Sequence, residues 1–248
     1  MTTPGPPCDA LDWDSRFFGH AIARARASRL DDASCREMLD WCRAHGTECL
    51  YVLADEDHPA TLGLLDAAGF RQVDRRVTLE RALGREVGPA PAGTRAAREE
   101  DIPALREIAA VSHRNGRFHA DGRFDPERCD EFYRVWVENS IGGWADHVVV
   151  TERDGRAVGY LTVHLKGPES GSLGLMGVDP ALRRHGLGGQ LLQGALAWLA
   201  SRAVTRVWLA TQGRNDASQG FFTSAGFRVT HAALWYHRWF DEPPDAAR

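Results

Sequence analysis

The strongest chemical signal in the chain is a glycine-rich stretch that leads directly into a long apolar segment. Gly186, Gly188 and Gly189 allow the backbone to turn tightly and to approach another molecule closely. The free amides and the positive dipole end at the start of a helix attract phosphate oxygens. Arg183 and Arg184 add positive charge just before the turn. The stretch therefore predicts a phosphate-binding loop, although its spacing matches neither the GxGxxG nor the GK[ST] motif.

Strands and helices alternate around this loop. The strand SLGLMGV precedes it and ends at Val178, and a helix follows from about Gly186 to Arg202. Upstream, the strands HVVVTE and AVGYLTVHL are joined by Asp154-Gly155, a sequence typical of a hairpin turn. Downstream, the pattern predicts the strand RVWLAT, the helix DASQGFFTSA and two strands, FRVTH and ALWYHRWF. This alternation predicts an α/β fold.

Two further helices precede the hairpin. Asp101 caps a helix that ends at about Ser112, and Pro126 opens another that ends at about Asn139. The residues between them, SHRNGRFHADGRFD, are polar, glycine-rich and aromatic, and they predict a loop.

A Gly- and Pro-rich segment, Leu83 to Thr94, predicts a linker between two domains. Residues 1–90 would form a small accessory α/β domain, and residues 91–248 the domain with the loop. The pattern of the first domain predicts a strand near Leu11, a strand over Ala21–Ala27, a helix from Asp31, a strand ECLYVLA, a helix from about Pro59 to Ala68 and a strand FRQVDRRVTLE. LLDAAGFRQVDRRVTLE echoes FFTSAGFRVTHAALWYH, so we expect the first domain to be a degenerate half-copy of the second.

Composition excludes several classes of protein. With 30 basic and 34 acidic residues, the formal charge is −4, which does not favour a nucleic-acid partner. No uncharged stretch is long and apolar enough to cross a bilayer, and the amino terminus lacks a secretory pattern. We therefore expect a cytoplasmic protein without a membrane or nucleic-acid partner.

Five cysteines raise the question of a metal site. Cys42, His45 and Cys49 lie close together, with Cys35 one heptad earlier. Cys35 and Cys42 would share one face of a helix, but the sequence offers no clear fourth ligand. Because buried cysteine packs as a small apolar residue, core packing is the favoured interpretation, and no metal is predicted.

The segment V-D-P-x-x-R-R-x-G-L-G-G-x-L-L resembles motif A of the GNAT acetyltransferases, in which Arg183, Gly186 and Gly188 match the R/Q-x-x-G-x-G/A core. N-x-x-S-x-x-x-F-x-x-x-G-F, beginning at Asn215, resembles motif B of the same family. The resemblance implies a mixed sheet flanked by helices and acetyl-CoA as co-substrate. The residues it implies for binding acetyl-CoA are Met176, Gly177, Val178, Arg183, Arg184, His185, Gly186, Leu187, Gly188, Gly189, Asn215 and Phe222.

Further motifs resemble the dTDP-fucosamine acetyltransferase group of that family. They are L-x-W-D-S-R-F-F-G near the amino terminus, S-x-R-x-x-R-F-H-x-D, and Y-x-x-W-x-E-N-S. This resemblance implies direct N-acetylation of an amino-deoxy sugar carried on a nucleotide, dTDP or UDP. Arg117, Phe118 and Tyr160 would then lie on the sugar side of the cleft. Another small amine, an antibiotic or a protein amino terminus is an alternative acceptor.

The chain departs from motif B at one position. Phe222 stands where the family carries the tyrosine that protonates the departing thiolate, so either a water, a hydroxyl such as that of Tyr236, or a slower mechanism must serve. A catalytically weakened acetyl-CoA-binding protein is the alternative to an enzyme. His119, His147 and His164 are candidate bases. We expect the aromatic segment LWYHRWF to be exposed, which suggests a homodimer.

Overall fold

A computed structural model describes residues 5–84 and 87–240. Its strands form one ten-stranded mixed sheet in the order β1-β2-β3-β10-β4-β9-β8-β7-β6-β5. The strands are β1 (Cys8–Ala10), β2 (Ile22–Ala25), β3 (Cys49–Asp55), β4 (Arg71–Ala82), β5 (Thr94–Ala96), β6 (His147–Arg153), β7 (Arg156–Leu165), β8 (Ser170–Val178), β9 (Arg206–Gln212) and β10 (Arg228–Trp239). The β2–β3 and β8–β9 pairs are parallel, and the other neighbours are antiparallel.

Helices cover both faces of the sheet, which confirms the predicted α/β class. They are α1 (Asp12–Phe18), α2 (Asp32–Ala44), α3 (Pro59–Ala67), α4 (Ile102–Ser112), α5 (Arg117–Asp121), α6 (Pro126–Asn139), α7 (Leu187–Ala200) and α8 (Asp216–Ser224), with a π-helical turn at Ser140–Trp144 and 3-10 turns at Glu99–Asp101 and Pro180–Leu182. No helix within the described residues is long and apolar enough to span a membrane.

One local prediction is confirmed and another is wrong. The strand expected near Leu11 is β1, which ends at Ala10, and Leu11 itself precedes helix α1. The expected loop between α4 and α6 contains the short helix α5, which Gly122 ends in a left-handed conformation. Residues 85 and 86 of the expected linker, and the chain ends at 1–4 and 241–248, lie outside the described residues.

The sheet crosses the expected domain boundary at residue 90. Strand β4, from the amino-terminal part, lies between β10 and β9 of the carboxyl-terminal part. The chain contains two helix-linked units, β3–α3–β4 and β9–α8–β10, whose strands alternate in the order β3-β10-β4-β9. The last strand of the first unit, β4, lies beside β9, and the last strand of the second unit, β10, lies beside β3. The two echoed sequences thus occupy equivalent places. The two-domain division and the half-copy origin remain proposals.

The aromatic segment at the carboxyl end is an interior strand. FRVTH and ALWYHRWF, expected as two strands, form the single strand β10, whose register shifts between Val229 and His231 and between Trp235 and Tyr236. Tyr236, His237 and Trp239 are buried within the chain. The expectation that this segment is exposed is therefore wrong, and the homodimer it suggested remains a prediction without that support.

The core is divided by the sheet. On one side, helices α4 and α6 pack with α1 and α5 in an aromatic cluster that includes Phe118, Phe132 and Trp239. On the other side, α7 and α8 cover one apolar cluster, and α2 and α3 cover a second. On β10, Trp235 and His237 point to the first side, whereas Tyr236 points to the second. We call these the α4 side and the α7 side.

Strands β8 and β9 separate before they end. They pair from Ser170–Arg206 to Leu173–Leu209, and beyond this β8 runs on to Val178 and β9 to Gln212 unpaired with each other. A register shift in the β7–β8 pairing accompanies the separation. There the amide of Leu175 donates to Thr162 Oγ1 at 2.8 Å. We call the resulting opening the strand gap; it connects the two sides of the sheet.

Candidate active site

The predicted phosphate-binding loop lies at the start of α7, on the α7 side of the strand gap. Gly186 precedes the helix with φ +78°, a left-handed conformation that favours glycine, and no side chain caps the helix. Helix α7 has no acidic residue in its first turn. Arg183, Arg184 and His185 are exposed around its amino terminus. An uncapped helix start of this kind can donate to phosphate oxygens, and phosphate binding at this loop stays a prediction.

The next two glycines of the loop differ in their surroundings. A Cβ atom on Gly188 would lie 3.3 Å from Met176 Cε and 3.6 Å from the Phe221 ring, whereas one on Gly189 would meet no protein atom within 4 Å. Leu187 is buried beneath the helix. The open space above Gly189 suits a ligand that approaches the backbone.

Three residues of the implied acetyl-CoA site lie on the free edge of β8. Met176, Gly177 and Val178 follow the point at which β8 leaves β9. A Cβ atom on Gly177 would come within 3.0 Å of Tyr160, Ile108 and Ser112, so only glycine fits there. The unpaired backbone groups of this edge can bind the amides of an extended arm.

Helix α8 borders the gap on the β9 side. Asn215 Oδ1 accepts from the Ser218 amide at 3.1 Å and so caps the helix. Phe222 is 5% exposed and packs against Phe221 and Phe227, so its ring belongs to the core. One turn earlier, Ser218 Oγ accepts from Thr211 Oγ1 at 3.0 Å, which places two hydroxyls at the end of β9.

On the α4 side, the strand gap opens into a cavity of about 640 Å³. Its floor is the sheet, where the lining residues are Leu53, Asp74, Arg76, Ala210, Gln212 and Trp235. Its wall is helical and is formed by His113, Arg117, Phe118, Tyr133 and Trp136. Leu175 and Thr211 border it at the gap, and Asp9, Arg24, Arg26 and Ser28 border its far end.

Arg117, predicted from the sequence, is held tightly at this wall. Its guanidinium lies 4.3 Å from the Tyr51 and Phe118 ring centroids and 4.2 Å from that of Trp235. Its Nη1 donates to His237 Nε2 at 3.2 Å. Several other lining residues were not foreseen. Asp74, Arg76, Trp136 and Trp235 lie on predicted helices or strands, whereas His113 lies at the start of the predicted loop.

His237 is itself fixed by a buried carboxylate. Its Nδ1 donates to Asp121 Oδ2, and both side chains are fully buried. Burial lowers the pKa of His237 well below its ordinary value, even though Asp121 opposes this. Burial raises the pKa of Asp121 but its bonds to His237 and Trp239 outweigh this and lower it. At neutral pH the pair is therefore a carboxylate and a neutral imidazole whose Nε2 accepts from Arg117.

His113 is the histidine that reaches the cavity. Its Nε2 lies 2.8 Å from the Tyr160 hydroxyl, and its ring stacks on Tyr133 with centroids 4.8 Å apart. Burial lowers its pKa to about 4, so the ring is neutral at pH 7; this frees a lone pair on the ring but also makes it a weaker base. Tyr160, expected to touch the sugar, is buried behind His113, and burial raises its pKa. Direct sugar contact by Tyr160 is not supported.

The histidines suggested by the sequence lie elsewhere. His119 Nε2 binds Asp130 at 3.0 Å, and His147 stacks on Trp198 on the α7 side. His164 lies on the α4 side beside Gly174 but does not line the cavity. The sequence pattern does not show which histidine faces the cavity. That depends on how α4 packs against β7, which places His113 there.

Tyr236 does not replace the missing tyrosine acid. It points to the α7 side, away from the cavity, and packs in the cluster beneath α2 and α3. Burial and the nearby Asp66 raise its pKa to about 12. This placement corrects the suggestion that its hydroxyl serves the departing thiolate.

The cysteine cluster is part of the core. Cys35 and Cys42 are buried on one face of α2, as their spacing predicted, and Cys49 is buried in β3. His45 stacks on Trp41 at the end of the same helix. Over residues 5–84 and 87–240, no three His, Cys, Asp or Glu side chains are grouped as metal ligands.

An uncapped helix start, a free strand edge and a cavity meet at one gap, an arrangement typical of an enzyme that brings two substrates together. The profile of the acetyltransferase (GNAT) family matches residues 103–227, half of the chain. The chain belongs to this family and is an acetyl-CoA-dependent N-acetyltransferase.

Relatives of known name align with most of the chain. The dTDP-fucosamine acetyltransferase of Escherichia coli O6:H1 is 28% identical over 233 residues, which is 93% of this chain and 97% of the relative. The mycothiol acetyltransferase of Amycolatopsis mediterranei is 27% identical over 247 residues, which is 92% of this chain and 79% of the relative. The alignments therefore include the amino-terminal segment.

Solved structures share the fold. A GCN5-related N-acetyltransferase from Sphaerobacter thermophilus superimposes with a TM-score of 0.63 at 20% identity, covering 94% of this chain and 76% of the other. A tandem GNAT protein from the clavulanic acid biosynthesis pathway superimposes with a TM-score of 0.60 at 17% identity, covering 91% and 77%. These likenesses concern the fold alone.

Proposed function

We propose that the acetyl acceptor is the amine of an amino-deoxy sugar carried on a nucleoside diphosphate, dTDP or UDP. The observation that carries the proposal is the reach of the cavity. It begins at the strand gap and extends to Arg24 and Ser28 beside β2, so the amino-terminal segment forms one end of it. A simple amine would not need this length. The alignment of the Escherichia coli sugar acetyltransferase over 93% of the chain supports the same assignment.

The co-substrate would lie across the gap. Its phosphates would meet Arg183, Arg184 and the amides from Gly186 onward, and its pantetheine arm would follow the edge of β8. The further residues proposed for this site are Met176, Gly177, Val178, His185, Leu187, Gly188, Gly189, Asn215 and Phe222, of which Phe222 contributes through packing. Bound acetyl-CoA supplies an acetyl group activated as a thioester.

His113 is proposed as the proton acceptor. In the tautomer whose Nε2–H donates to the Tyr160 hydroxyl, Nδ1 keeps a lone pair that can take the proton of the attacking amine. The amine nitrogen bonds to the acetyl carbon and gives a proton to His113, the carbon–sulfur bond breaks, and the sulfur leaves with the electron pair as a thiolate. The thiolate takes up a proton from solvent to become the free thiol, and His113 returns its proton to solvent. The Ser218 hydroxyl, which accepts from Thr211 and keeps its own proton free, is proposed to donate a hydrogen bond to the departing sulfur. No covalent attachment to the protein is required.

The test measures thiol release from acetyl-CoA. The acceptors are dTDP- and UDP-linked 4-amino-4,6-dideoxyhexoses, the same sugars without nucleotide, simple amines, aminoglycosides, peptides and the mycothiol precursor that lacks the acetyl group. We expect turnover on a nucleotide-linked sugar with a kcat/KM at least a hundred-fold above the free sugar, an order of magnitude consistent with the binding energy that a remote group contributes. Turnover confined to another acceptor would contradict the proposal.

A further inference from the structure

Among the described residues that line the cavity, three arginines form no ion pair: Arg24, which is exposed at its far end, and the half-buried Arg76 and Arg117. Among the described residues, no carboxylate oxygen lies within 4.0 Å of the Arg76 or Arg117 guanidinium, and neither forms an ion pair. The carboxylates that line the same cavity are already engaged. Asp9 accepts from Arg26 Nε at 2.7 Å, and Asp74 lies 3.4 Å from Arg214 Nη2. Neither guanidinium is therefore bound directly by a carboxylate, and Asp14 and Asp74 act on the charge of Arg117 only from beyond ion-pair distance.

The two guanidiniums repel each other. Arg76 is half-buried in β4, and its pKa is lowered by burial and by the charge of Arg117. In the ligand-free protein this proximity is unfavourable, because two cations in a partly desolvated site are not compensated. An anion placed between them would remove the repulsion and form charge-assisted hydrogen bonds with both.

Arg117 is held in place before any ligand binds. Tyr51, Phe118 and Trp235 surround its guanidinium, and the imidazole of His237 accepts one of its N–H bonds. A guanidinium has five N–H donors, so others are available to a ligand. Because its side chain is already ordered, binding costs less conformational entropy than at a mobile arginine.

We infer that Arg76 and Arg117 form a subsite for the diphosphate of the acceptor, separate from the loop that binds the phosphates of acetyl-CoA. Arg76 pairs in the sheet with Gln212, at the end of β9 that borders the strand gap. Strands lie about 4.8 Å apart, so β4 is about one sugar ring from the gap. Trp235 follows on the next strand, and Arg24 lies beyond it toward the far end.

This order of residues matches the order of groups in the ligand. The amine would lie at the gap beside His113, the sugar over β9 and β4, the diphosphate between Arg76 and Arg117, and the nucleoside toward β3 and β2. The inference rests on the proposed function only for the identity of the anion. Guanidinium groups suit this role because they present paired donors to phosphate oxygens.

The experiment is calorimetric titration of the full-length protein saturated with acetyl-CoA, so that the first phosphate site is filled. The probes are dTDP, UDP, inorganic pyrophosphate and thymidine. We expect dTDP or UDP to bind and thymidine not to. Arg76→Gln and Arg117→Gln should each weaken diphosphate binding roughly ten- to hundred-fold, the range for hydrogen bonds to charged groups.

Three controls separate this effect from others. Arg36→Gln makes the same charge change on the exposed face of α2 and should leave binding unchanged. Arg117→Lys keeps the positive charge. It should therefore retain part of the diphosphate affinity, which shows that Arg117→Gln weakens binding through loss of charge and not through disturbed packing. Unaltered acetyl-CoA binding by each variant shows that it is folded.

The outcomes distinguish the inference from the proposed function. Equal diphosphate affinity in the wild type and both glutamine variants, or no diphosphate binding to the wild type at millimolar concentration, overturns the subsite. Turnover of a nucleotide sugar with an unchanged KM in both variants also overturns it, yet leaves the proposed function intact. Arginine-dependent diphosphate binding without turnover of any nucleotide sugar supports the subsite and contradicts the proposed function.

Discussion

His237 and Arg117 lie 120 positions apart in the sequence, yet His237 Nε2 accepts from Arg117 Nη1 at 3.2 Å. The contact joins β10, at the centre of the sheet, to the short helix α5 on its α4 side. Asp121, at the end of the same helix, binds the other nitrogen of the ring. The imidazole is thereby locked in one tautomer, with its acceptor aimed at the guanidinium. A structural pair in the core thus orients a cation that faces the cavity.

His237→Leu removes this acceptor, and we expect it to raise the KM for the acceptor substrate about ten-fold while kcat and the KM for acetyl-CoA change little. The reason is that Arg117 gains rotational freedom without losing its charge. Steady-state kinetics in both substrates measure the effect. His237→Gln, whose amide oxygen can accept from Arg117, should recover most of the affinity. Equal losses in kcat and in both KM values would instead indicate general unfolding.

The depressed pKa of His113 predicts a pH dependence of stability. Its pKa is about 4 in the folded protein, compared with an ordinary value of about 6.5 in the unfolded chain. Between these values the unfolded state binds more protons, so the free energy of unfolding decreases as pH falls from 6.5 to 4. Above pH 6.5 both states are neutral and this contribution is constant.

Urea unfolding of the wild type and His113→Gln at pH 7.5, 5.5 and 4.5 isolates the contribution. The wild type should lose about 1 to 3 kcal/mol more than the variant on acidification. A stability difference between the two proteins that is constant with pH would contradict the buried, neutral state of His113.

A substitution at Gly189 should affect protein stability and acetyl-CoA binding in opposite directions. A Cβ atom on Gly189 meets no protein atom within 4 Å, and the residue lies inside α7. Gly189→Ala should therefore stabilise the protein by up to about 1 kcal/mol through helix propensity. It should nevertheless weaken acetyl-CoA binding about ten-fold, because the methyl group occupies the space in which phosphates would approach the amides.

Thermal unfolding and acetyl-CoA titration test both halves of this prediction. Gly220→Ala is the matched control, since Gly220 is exposed on α8 and a Cβ atom there also meets nothing within 4 Å. It should share the gain in stability and leave the affinity unchanged. If Gly189→Ala binds acetyl-CoA as tightly as the wild type, the phosphates do not lie over this turn.

The hydroxyl of Ser218, near Phe222, is expected to assist the departure of the coenzyme A sulfur. Ser218 lies one helical turn before Phe222, on the same face of α8, and bonds Thr211 at the gap. We expect Ser218→Ala to lower kcat about ten-fold, as the loss of a hydrogen bond to a developing charge would. Adding Phe222→Tyr to that variant should restore much of the rate, because it supplies another hydroxyl.

Ser224→Ala is the control for this pair of variants, because Ser224 lies on the same helix and bonds only the carbonyl of Phe221. It should retain the wild-type kcat. An unchanged kcat in Ser218→Ala, together with a hundred-fold gain in Phe222→Tyr alone, would show that the hydroxyl pair has no part in the reaction.

What the sequence predicts well is local. The turn at Gly186 and the helix after it depend on neighbouring residues, so their pattern predicts both, whereas the phosphate chemistry of the loop stays a prediction. The cavity is different, because it depends on pairings such as Trp235 with Asp74 and Leu53 that join distant parts of the chain. His113 could be suspected only from its position at the end of α4. Tyr160 and Tyr236 each carry a hydroxyl that could serve the site. The alternation of side chains along their strands, however, places Tyr160 behind His113 and Tyr236 on the α7 side, away from the cavity.

The insertion of β4 predicts that the carboxyl-terminal part does not fold alone. Residues 91–248 contain the loop, most of the cavity wall and both motifs, but β4 bonds β9 on one side and β10 on the other. Without it, both strands would expose unpaired backbone groups, and the apolar cluster would lose Val77 and Leu79, which are buried. We expect this fragment to aggregate or to lack a cooperative unfolding transition. Co-expression with residues 1–90 should restore soluble protein, because the missing strand can pair from a separate chain. A soluble, monomeric fragment 91–248 that unfolds cooperatively and binds acetyl-CoA would show instead that β4 is dispensable, and that the carboxyl-terminal part is an independent domain.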